Sequence, residues 1–179
     1  DFAATTPMLA PAIEAYADAA TQLYGNSASL HDAGSIASAY VEAVRKQLAA
    51  KLNVVADGIT FTGSGTEANA LAICSLALAQ KKRHIITSQA EHTSVHAAMN
   101  YLQQHGFTIE RLPLQQDGCI DVAAIEEAIT DDTALISVQH VNSEIGAIQP
   151  IAAISKITKE KNVLLHVDCV QSFCKIALD

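Results

Sequence analysis

Residues 59–73 read ITFTGSGTEANALAI, and this stretch decides the fold. Its first four residues are typical of a β-strand, and the Ala- and Leu-rich run after Glu67 is typical of a helix. A glycine-rich turn, from Gly63 to Thr66, joins the two. Such a turn presents free backbone N–H groups at the positive end of a helix dipole. The stretch therefore predicts an anion site, most often one for phosphate.

Strand-like and helical segments alternate on both sides of this turn. Strands are predicted at residues 59–62, 84–88, 108–114, 134–140 and 163–167. Helices are predicted at residues 7–23, 33–52, 67–80, 94–105, 122–129 and 151–161, with Thr6 and Asp121 as N-caps and Asn53 as an end signal. The alternation predicts an α/β fold with a mostly parallel, doubly wound sheet and flanking helices.

Composition excludes several function classes. The chain has 179 residues, with 11 Lys and Arg against 19 Asp and Glu, a net charge of −8. No basic stripe is visible, so nucleic acid is not an expected partner. No signal peptide and no apolar run of membrane-spanning length is found, so no membrane partner is expected. The four Cys lack the spacing of a disulfide framework, which favours reduced thiols and a cytoplasmic location.

Polar residues follow the predicted strands, at the sheet edge where doubly wound folds bind ligands. They are Gly63 to Thr66, Glu91, His92, His140, Asn142, Glu144, Asp168 and Gln171. A carboxylate at Asp168, after an apolar strand, is costly unless it is paired. It serves either as a cap for the next segment or as the partner of a protonated ring nitrogen, which keeps a pyridinium charged as an electron sink. In the second case His92 is placed to stack on the ring.

Two other sites fit parts of this pattern. Gly63-x-Gly65-x-x-Ala68 matches a dinucleotide fingerprint, but the ribose-binding acid is missing, since Glu91 comes too late. His92 and His96 are four residues apart, as in a metal pair, and His166 and Asp168 could add ligands, but the HExxH glutamate and paired cysteines are absent.

Six segments, taken together, carry a resemblance to a known family. They read AATTP (3–7), GNSAS (25–29), FTGSGTE (61–67), AEH (90–92), HVNSEIG (140–146) and HVDCVQS (166–172). In this order and spacing the chain resembles the cysteine desulfurases of the class V aminotransferase superfamily, which use pyridoxal 5′-phosphate (PLP). The resemblance implies the large domain of a PLP-dependent transferase, incomplete in this chain.

The resemblance also implies roles for residues around the cofactor. Gly65 and Thr66 are expected to bind the PLP phosphate, and His92 to stack on the pyridine ring. Asp168 is expected to pair with the ring nitrogen, and Gln171 to reach the phenolic oxygen. His92 and Asp168 are thus the expected catalytic residues.

On the substrate side, Asn142 is expected near the phenolic oxygen and the substrate carboxylate, and Ala4, Thr5 and Asn26 are expected to line the site. The reaction implied is removal of sulfur from L-cysteine or a similar amino acid. It leaves alanine and an enzyme persulfide for iron–sulfur cluster assembly or thiolation. The implied partners are a sulfur-acceptor protein and either a second copy of the chain, in a homodimer, or a complementing C-terminal fragment.

The chain departs from the family pattern at several positions. Gly63-Ser64 stands where Ser-Gly is usual, Ala70 where an Asn is common, and Cys169 where an Ala is usual. Cys174 replaces a usual Gly before Lys175, which predicts backbone strain if φ is positive there.

The resemblance places other parts of the family site beyond Asp179: the Schiff-base lysine, the arginine for the substrate carboxylate, the loop cysteine and the small domain. We therefore expect residues 1–24 to form an N-terminal segment and helix, and residues 25–179 the first part of the large domain. The chain alone is expected to be inactive, and residues 59–62 to have no strand neighbour. The alternatives are a non-catalytic half-enzyme that binds a partner, or another class V enzyme such as a selenocysteine lyase or an aminotransferase.

Overall fold

The computed structural model describes residue 2 and residues 5–176, which form two compact units. The first unit is Asp1–Phe61 and the second is Thr62–Asp179. The predicted division at residue 24 stays a prediction. Within the described residues, no helix combines the length and the apolar character needed to span a bilayer.

The first unit contains helices α1 (Ala10–Gln22) and α2 (Asp32–Leu52), followed by a 3₁₀ turn at Ala56–Gly58. Helix α2 ends as predicted, with Asn53 in the left-handed conformation at φ 53°. The predicted start of α1 at Pro7 is wrong, because a helix from Pro7 would place Pro11 where a backbone N–H is required. The helix instead begins at Ala10, which puts Pro11 in its first turn.

Residues 59–62 were predicted to be strand-like but to have no strand neighbour, and among the described residues they have none. The backbone is extended at Ile59, but no ladder forms there, and a lone strand has no partner for its N–H and C=O groups. Arg45 of α2 supplies a hydrogen-bond donor to this segment where a neighbouring strand would otherwise do so. Its guanidinium donates to the Ile59 carbonyl and lies 4.8 Å from the centre of the Phe61 ring.

The second unit contains the parallel sheet. Its elements are α3 (Gly65–Leu78), β1 (His84–Ser88), α4 (Thr93–Gln104), β2 (Thr108–Leu112), α5 (Val122–Ala128), β3 (Thr133–Gln139), α6 (Ile151–Lys161) and β4 (Leu164–Asp168). The strand order is β2-β1-β3-β4, and every neighbouring pair is parallel. The predicted fold class is therefore confirmed.

Helices cover both faces of the sheet because side chains alternate along each strand. Ile85 and Leu135 pack in a buried cluster with residues of α3 and α4. Ile86 and Ile136 pack in a second cluster with residues of α5 and α6. The central strands β1 and β3 are buried along their whole length, as is typical of strands inside a parallel sheet.

Candidate functional site

A cavity of about 220 Å³ lies in the second unit, where β3 and β4 end. Five of the residues predicted for the cofactor line it: Gly65, Thr66, His92, Asp168 and Gln171. The fold brings them together because the carboxyl ends of parallel strands, and the helix N-termini that follow them, share one edge of the sheet.

The glycine-rich turn forms the N-terminus of α3. Ser64 is the N-cap, with its hydroxyl accepting the Glu67 N–H at 3.2 Å, and the Glu67 carboxylate accepts the Gly63 N–H at 2.7 Å. This reciprocal capping leaves the N–H groups of Gly65 and Thr66 with no partner among the described residues. Both residues line the cavity, so this wall offers hydrogen-bond donors and a positive helix end to an anion.

Space at the turn also explains why a small residue stands at its centre. A Cβ atom built on Gly65 lies 3.2 Å from Cγ2 of Val170, which is tighter than most side-chain contacts. The segment after β4 therefore packs closely against the start of α3.

Asp168 is the last residue of β4 and is 9% exposed. Its Oδ2 accepts a hydrogen bond from Nδ2 of Asn69 at 2.8 Å, and its Oδ1 accepts the Val170 N–H at 3.0 Å. The carboxylate thus caps the turn that follows, as one prediction had it. It also lines the cavity, and each of its oxygens keeps a lone pair for a further donor.

His92 is the N-cap of α4. Its Nδ1 lies 3.2 Å from the Ser94 backbone nitrogen and 2.7 Å from Ser94 Oγ. The imidazole forms part of the wall of the first cavity and of a neighbouring one of about 270 Å³.

The neighbouring cavity is lined in part by Glu91, Asn142 and Glu144. Asn142, predicted for the cofactor and substrate, lies here rather than in the wall of the first cavity. Its Nδ2 donates to the Ala90 carbonyl at 3.0 Å, and its Oδ1 accepts the N–H groups of Glu144 and Ile145 at 2.8 and 3.0 Å. Asn142 therefore builds the loop after β3, and its predicted ligand contacts stay predictions.

Glu91 is 7% exposed, and its chemistry was not predicted from the sequence. Its Oε1 accepts the Ser88 hydroxyl at 2.6 Å, whereas Oε2 is buried with no partner among the described residues. Burial raises the pKa of Glu91 to about 7. Hydrogen bonds from Ser88 and the Gln139 backbone act against this rise in the pKa, and the charge of Asp168 adds to it.

The structure does not test the residues predicted to contact the substrate from the start of the chain. Ala4 lies outside the described residues. Thr5 and Asn26 belong to the first unit, where Asn26 Oδ1 accepts the Ala28 N–H at 2.9 Å. Their placement near a substrate stays a prediction.

Sequence reasoning missed four polar residues of the first cavity, Asn69, Ser94, Gln139 and Ser143. Asn69 had a signal, because Asn is a weak helix former and stands here within an Ala- and Leu-rich helix. Ser94 looked like an ordinary residue of a helix first turn.

The metal alternative finds no further support in the second unit. His166 of β4 is hydrogen bonded through Nδ1 to Ser137 Oγ at 2.9 Å, and burial lowers its pKa although the charge of Asp168 acts in the opposite direction. Across residue 2 and residues 5–176, no group of three or more His, Cys, Asp or Glu is placed to hold a metal ion.

Comparison with known families gives a match over the whole chain. The family described as aminotransferase class V matches residues 1–179. A putative cysteine desulfurase NifS of Bacillus subtilis (strain 168) is 41% identical over 181 residues, covering 100% of this chain and 46% of that protein. The cysteine desulfurase IscS of Dictyoglomus turgidum is 39% identical over 174 residues, covering 96% of this chain and 44% of that protein.

Solved structures agree with these sequence matches. A structure titled SspA in complex with cysteine superposes with a TM-score of 0.94 at 34% identity, over 100% of this chain and 52% of that one. A NifS-like protein gives a TM-score of 0.93 at 34% identity, over 98% of this chain and 49% of that one. The chain thus spans about half the length of the relatives it matches.

Proposed function

The chain belongs to the class V aminotransferase family, and on that premise we propose that it carries the cofactor phosphate, ring-stacking and ring-nitrogen residues of a PLP-dependent cysteine desulfurase. The reaction we propose removes sulfur from L-cysteine and leaves alanine and a persulfide on the enzyme. Enzymes of this family and its cysteine desulfurases depend on PLP.

One observation carries the proposal: a single cavity wall joins an open helix N-terminus, an imidazole and a buried carboxylate. The open N–H groups of Gly65 and Thr66 suit a phosphate dianion, because both they and the helix dipole favour negative charge. The buried carboxylate of Asp168 suits a protonated ring nitrogen, since a buried charge requires a partner. The residues present therefore fit PLP.

PLP, when bound, supplies an electron sink for negative charge that develops on the amino acid. The chain's own residues orient it. Asp168, held by Asn69 and the Val170 N–H, would keep the ring nitrogen protonated through its negative charge. His92 would cover one ring face, and Gln171, which lines the same cavity, would face the phenolic oxygen. Asn142, which lines the neighbouring cavity, would contact the substrate from there.

Within the part of the chain that the structure describes, no lysine lines either of these two cavities. This supports the proposal that the lysine which binds the cofactor covalently lies beyond Asp179, together with the arginine that holds the substrate carboxylate. On this proposal residues 1–24 and 25–179 are the N-terminal segment and the first part of the large domain. The chain alone would bind PLP reversibly and would not desulfurate cysteine.

The proposed partners follow from the same reaction. One structural relative was solved with cysteine, which supports L-cysteine as the substrate. Ala4, Thr5 and Asn26 remain candidates for its binding, and a sulfur-acceptor protein and a homodimer or complementing fragment are proposed as the protein partners. The cysteines of the described residues are all free thiols, which fits the reducing conditions of the cytoplasm.

The experiment that tests the cofactor site is a PLP titration of the purified protein, followed by the absorbance and the fluorescence of the cofactor. The chain contains no tryptophan, so tryptophan emission does not interfere. Asp168→Asn removes the charge without changing the shape of the side chain. It is expected to lower PLP affinity about 10- to 100-fold, the value of one hydrogen bond to a charged group. Exposed Asp131, in the turn before β3, provides the matched control Asp131→Asn. Equal PLP affinities for the two variants, or no binding by the unmodified protein, would contradict the proposal.

A further inference from the structure

A chain of hydrogen bonds joins the two residues proposed to hold the cofactor ring. The Nδ2 group of Asn69, on α3, lies 2.8 Å from Asp168 Oδ2 and 3.0 Å from Ser94 Oγ. Ser94 Oγ in turn lies 2.7 Å from Nδ1 of His92. Asn69 is 6% exposed and Ser94 is 5% exposed, so the two bonds of Asn69 are shielded from water, whereas the bond to exposed His92 is only partly buried.

The direction of each bond in this chain can be assigned. A carboxylate only accepts hydrogen bonds, so the amide group of Asn69 that faces Asp168 must be its NH₂. The same NH₂ donates to Ser94 Oγ, which therefore has to place its own hydrogen elsewhere. The other described neighbour of that hydroxyl is Nδ1 of His92, and the hydroxyl donates to this nitrogen if the nitrogen carries a lone pair.

A second donor reaches the same nitrogen. The backbone N–H of Ser94 points at Nδ1 of His92 with a distance of 3.2 Å. A backbone N–H can only donate, so Nδ1 must carry a lone pair; the proton of the imidazole then lies on Nε2, and the Ser94 hydroxyl donates to Nδ1 as well.

We propose that Asn69 and Ser94 are positioning residues that hold His92 as the neutral imidazole with its proton on Nε2, and that tie its ring to Asp168. The tautomer is a property of this chain alone, and its use in the enzyme rests on the proposed function. A neutral imidazole stacks on a protonated pyridine ring without the repulsion that an imidazolium would meet. Nε2–H has no hydrogen-bond partner among the described residues and remains available to a ligand.

The test is a two-bond ¹H–¹⁵N correlation spectrum of the purified protein labelled with ¹⁵N-histidine and free of cofactor. The signals of His92 are identified by their loss in His92→Gln. The unmodified protein is expected to show a pyridine-type shift at Nδ1 and a pyrrole-type shift at Nε2. A pyrrole-type Nδ1, or two pyrrole-type nitrogens as in a charged ring, overturns the proposal.

Ser94→Ala removes one of the two donors. The ratio of the tautomers is expected to move about five- to tenfold toward the Nδ1–H form, the value of one hydrogen bond. Ser94→Thr keeps the hydroxyl and is expected to restore the original shifts. Exposed Ser75 on α3 gives the matched control Ser75→Ala, which is expected to change nothing. An unchanged His92 signal in Ser94→Ala overturns the role of Ser94.

The role of Asn69 is tested by non-additivity. Asn69→Ala leaves the Ser94 hydroxyl free to turn away from His92, so it is expected to shift the tautomer ratio in the same direction by a smaller factor. Because Asn69 acts through Ser94, the double variant is expected to equal Ser94→Ala alone. If the changes in the tautomer ratio caused by the two single substitutions add up in the double variant, Asn69 does not act through Ser94.

The measurement separates this inference from the proposed function. If His92 carries its proton on Nε2 but the protein does not bind PLP, the tautomer assignment stands and the proposed function is contradicted. If the protein binds PLP but His92 carries its proton on Nδ1, the proposed function stands and the tautomer assignment is contradicted. If Ser94→Ala fails to fold, as judged by its backbone amide spectrum, the unmodified protein still decides the tautomer.

Discussion

The two ends of the parallel sheet differ in how far their polar groups are hydrogen bonded. At the amino end, Thr133 Oγ1 accepts the Thr130 N–H at 2.8 Å and lies 2.8 Å from Nδ1 of buried His84. The other ring nitrogen of His84 lies 3.3 Å from Glu110 Oε2. These side chains satisfy one another, and the network holds the starts of β1, β2 and β3 together.

At the carboxyl end, hydrogen-bonding capacity is left over. Glu91 Oε2 and His140 Nδ1 are buried with no hydrogen-bond partner among the described residues, and the N–H groups of Gly65 and Thr66 are open to the cavity. Since unpartnered buried polar groups cost free energy, this end is less stable than it would be with all its bonds made. The difference indicates that one end of the sheet serves stability, whereas the other retains donors and acceptors for a ligand.

The largest expected effect is a loss of unfolding free energy when the hydrogen-bond network at the amino end of the sheet is disrupted. Thr133→Val leaves the Thr130 N–H and His84 Nδ1 without their partner and is expected to cost about 2–4 kcal/mol of unfolding free energy. PLP affinity is expected to stay unchanged. Urea unfolding and PLP titration check this, with exposed Thr108→Val on β2 as the control. A loss no greater than that of Thr108→Val would contradict the role given to this network.

The next effect comes from Glu91 at the carboxyl end. Folding raises its pKa from 4.5 to about 7, so the folded protein binds more protons than the unfolded chain between these values. The stability from Glu91 is thus full below pH 4.5 and is lost as pH rises through about 7, at up to about 1.4 kcal/mol per pH unit.

Glu91→Gln is expected to remove this pH dependence and to stabilise the protein at pH 8. Urea unfolding between pH 4.5 and pH 8 measures it. Exposed Glu144, which lines the same cavity, supplies the control Glu144→Gln. An unchanged slope in Glu91→Gln would show that the buried carboxyl does not titrate in this range.

A smaller change tests the open helix end directly. Thr66→Ala is expected to lower PLP affinity about tenfold, because the hydroxyl of Thr66 can donate one hydrogen bond to a phosphate. Inorganic phosphate should compete with PLP in the unmodified protein and more weakly in the variant. Ser75→Ala again serves as the control, and unchanged competition would place the phosphate elsewhere.

The smallest effect concerns backbone strain after β4. Cys174 has φ 59°, a left-handed conformation, so the condition under which strain was expected at this position is met. Before β2 and before β4, Gly106 and Asn162 adopt this conformation. Cys174→Gly is expected to raise the unfolding free energy by about 1 kcal/mol. Cys174→Ala keeps the strain and should give no gain, so equal stabilities for the two variants would contradict the idea.

Segments with strong local signals were predicted well. Helix α6 has the predicted bounds, and α2 and α5 carry the predicted signals, Asn53 at the end of one and Asp121 at the start of the other. Residues 59–62 have a strand-like local pattern but form no strand, because a strand exists only where another strand pairs with it, and the expected lack of a neighbour is what the described residues show.

The sequence by itself therefore determined the alternation of helices and strands, the parallel sheet, and the edge at which Gly65, Thr66, His92, Asp168 and Gln171 meet. These follow from side-chain periodicity and capping signals between near neighbours in the chain. Only the tertiary structure decided that Asn69 bonds to Ser94, 25 residues away, and to Asp168, 99 residues away. The raised pKa of Glu91 was also decided there, because burial depends on how distant segments pack together.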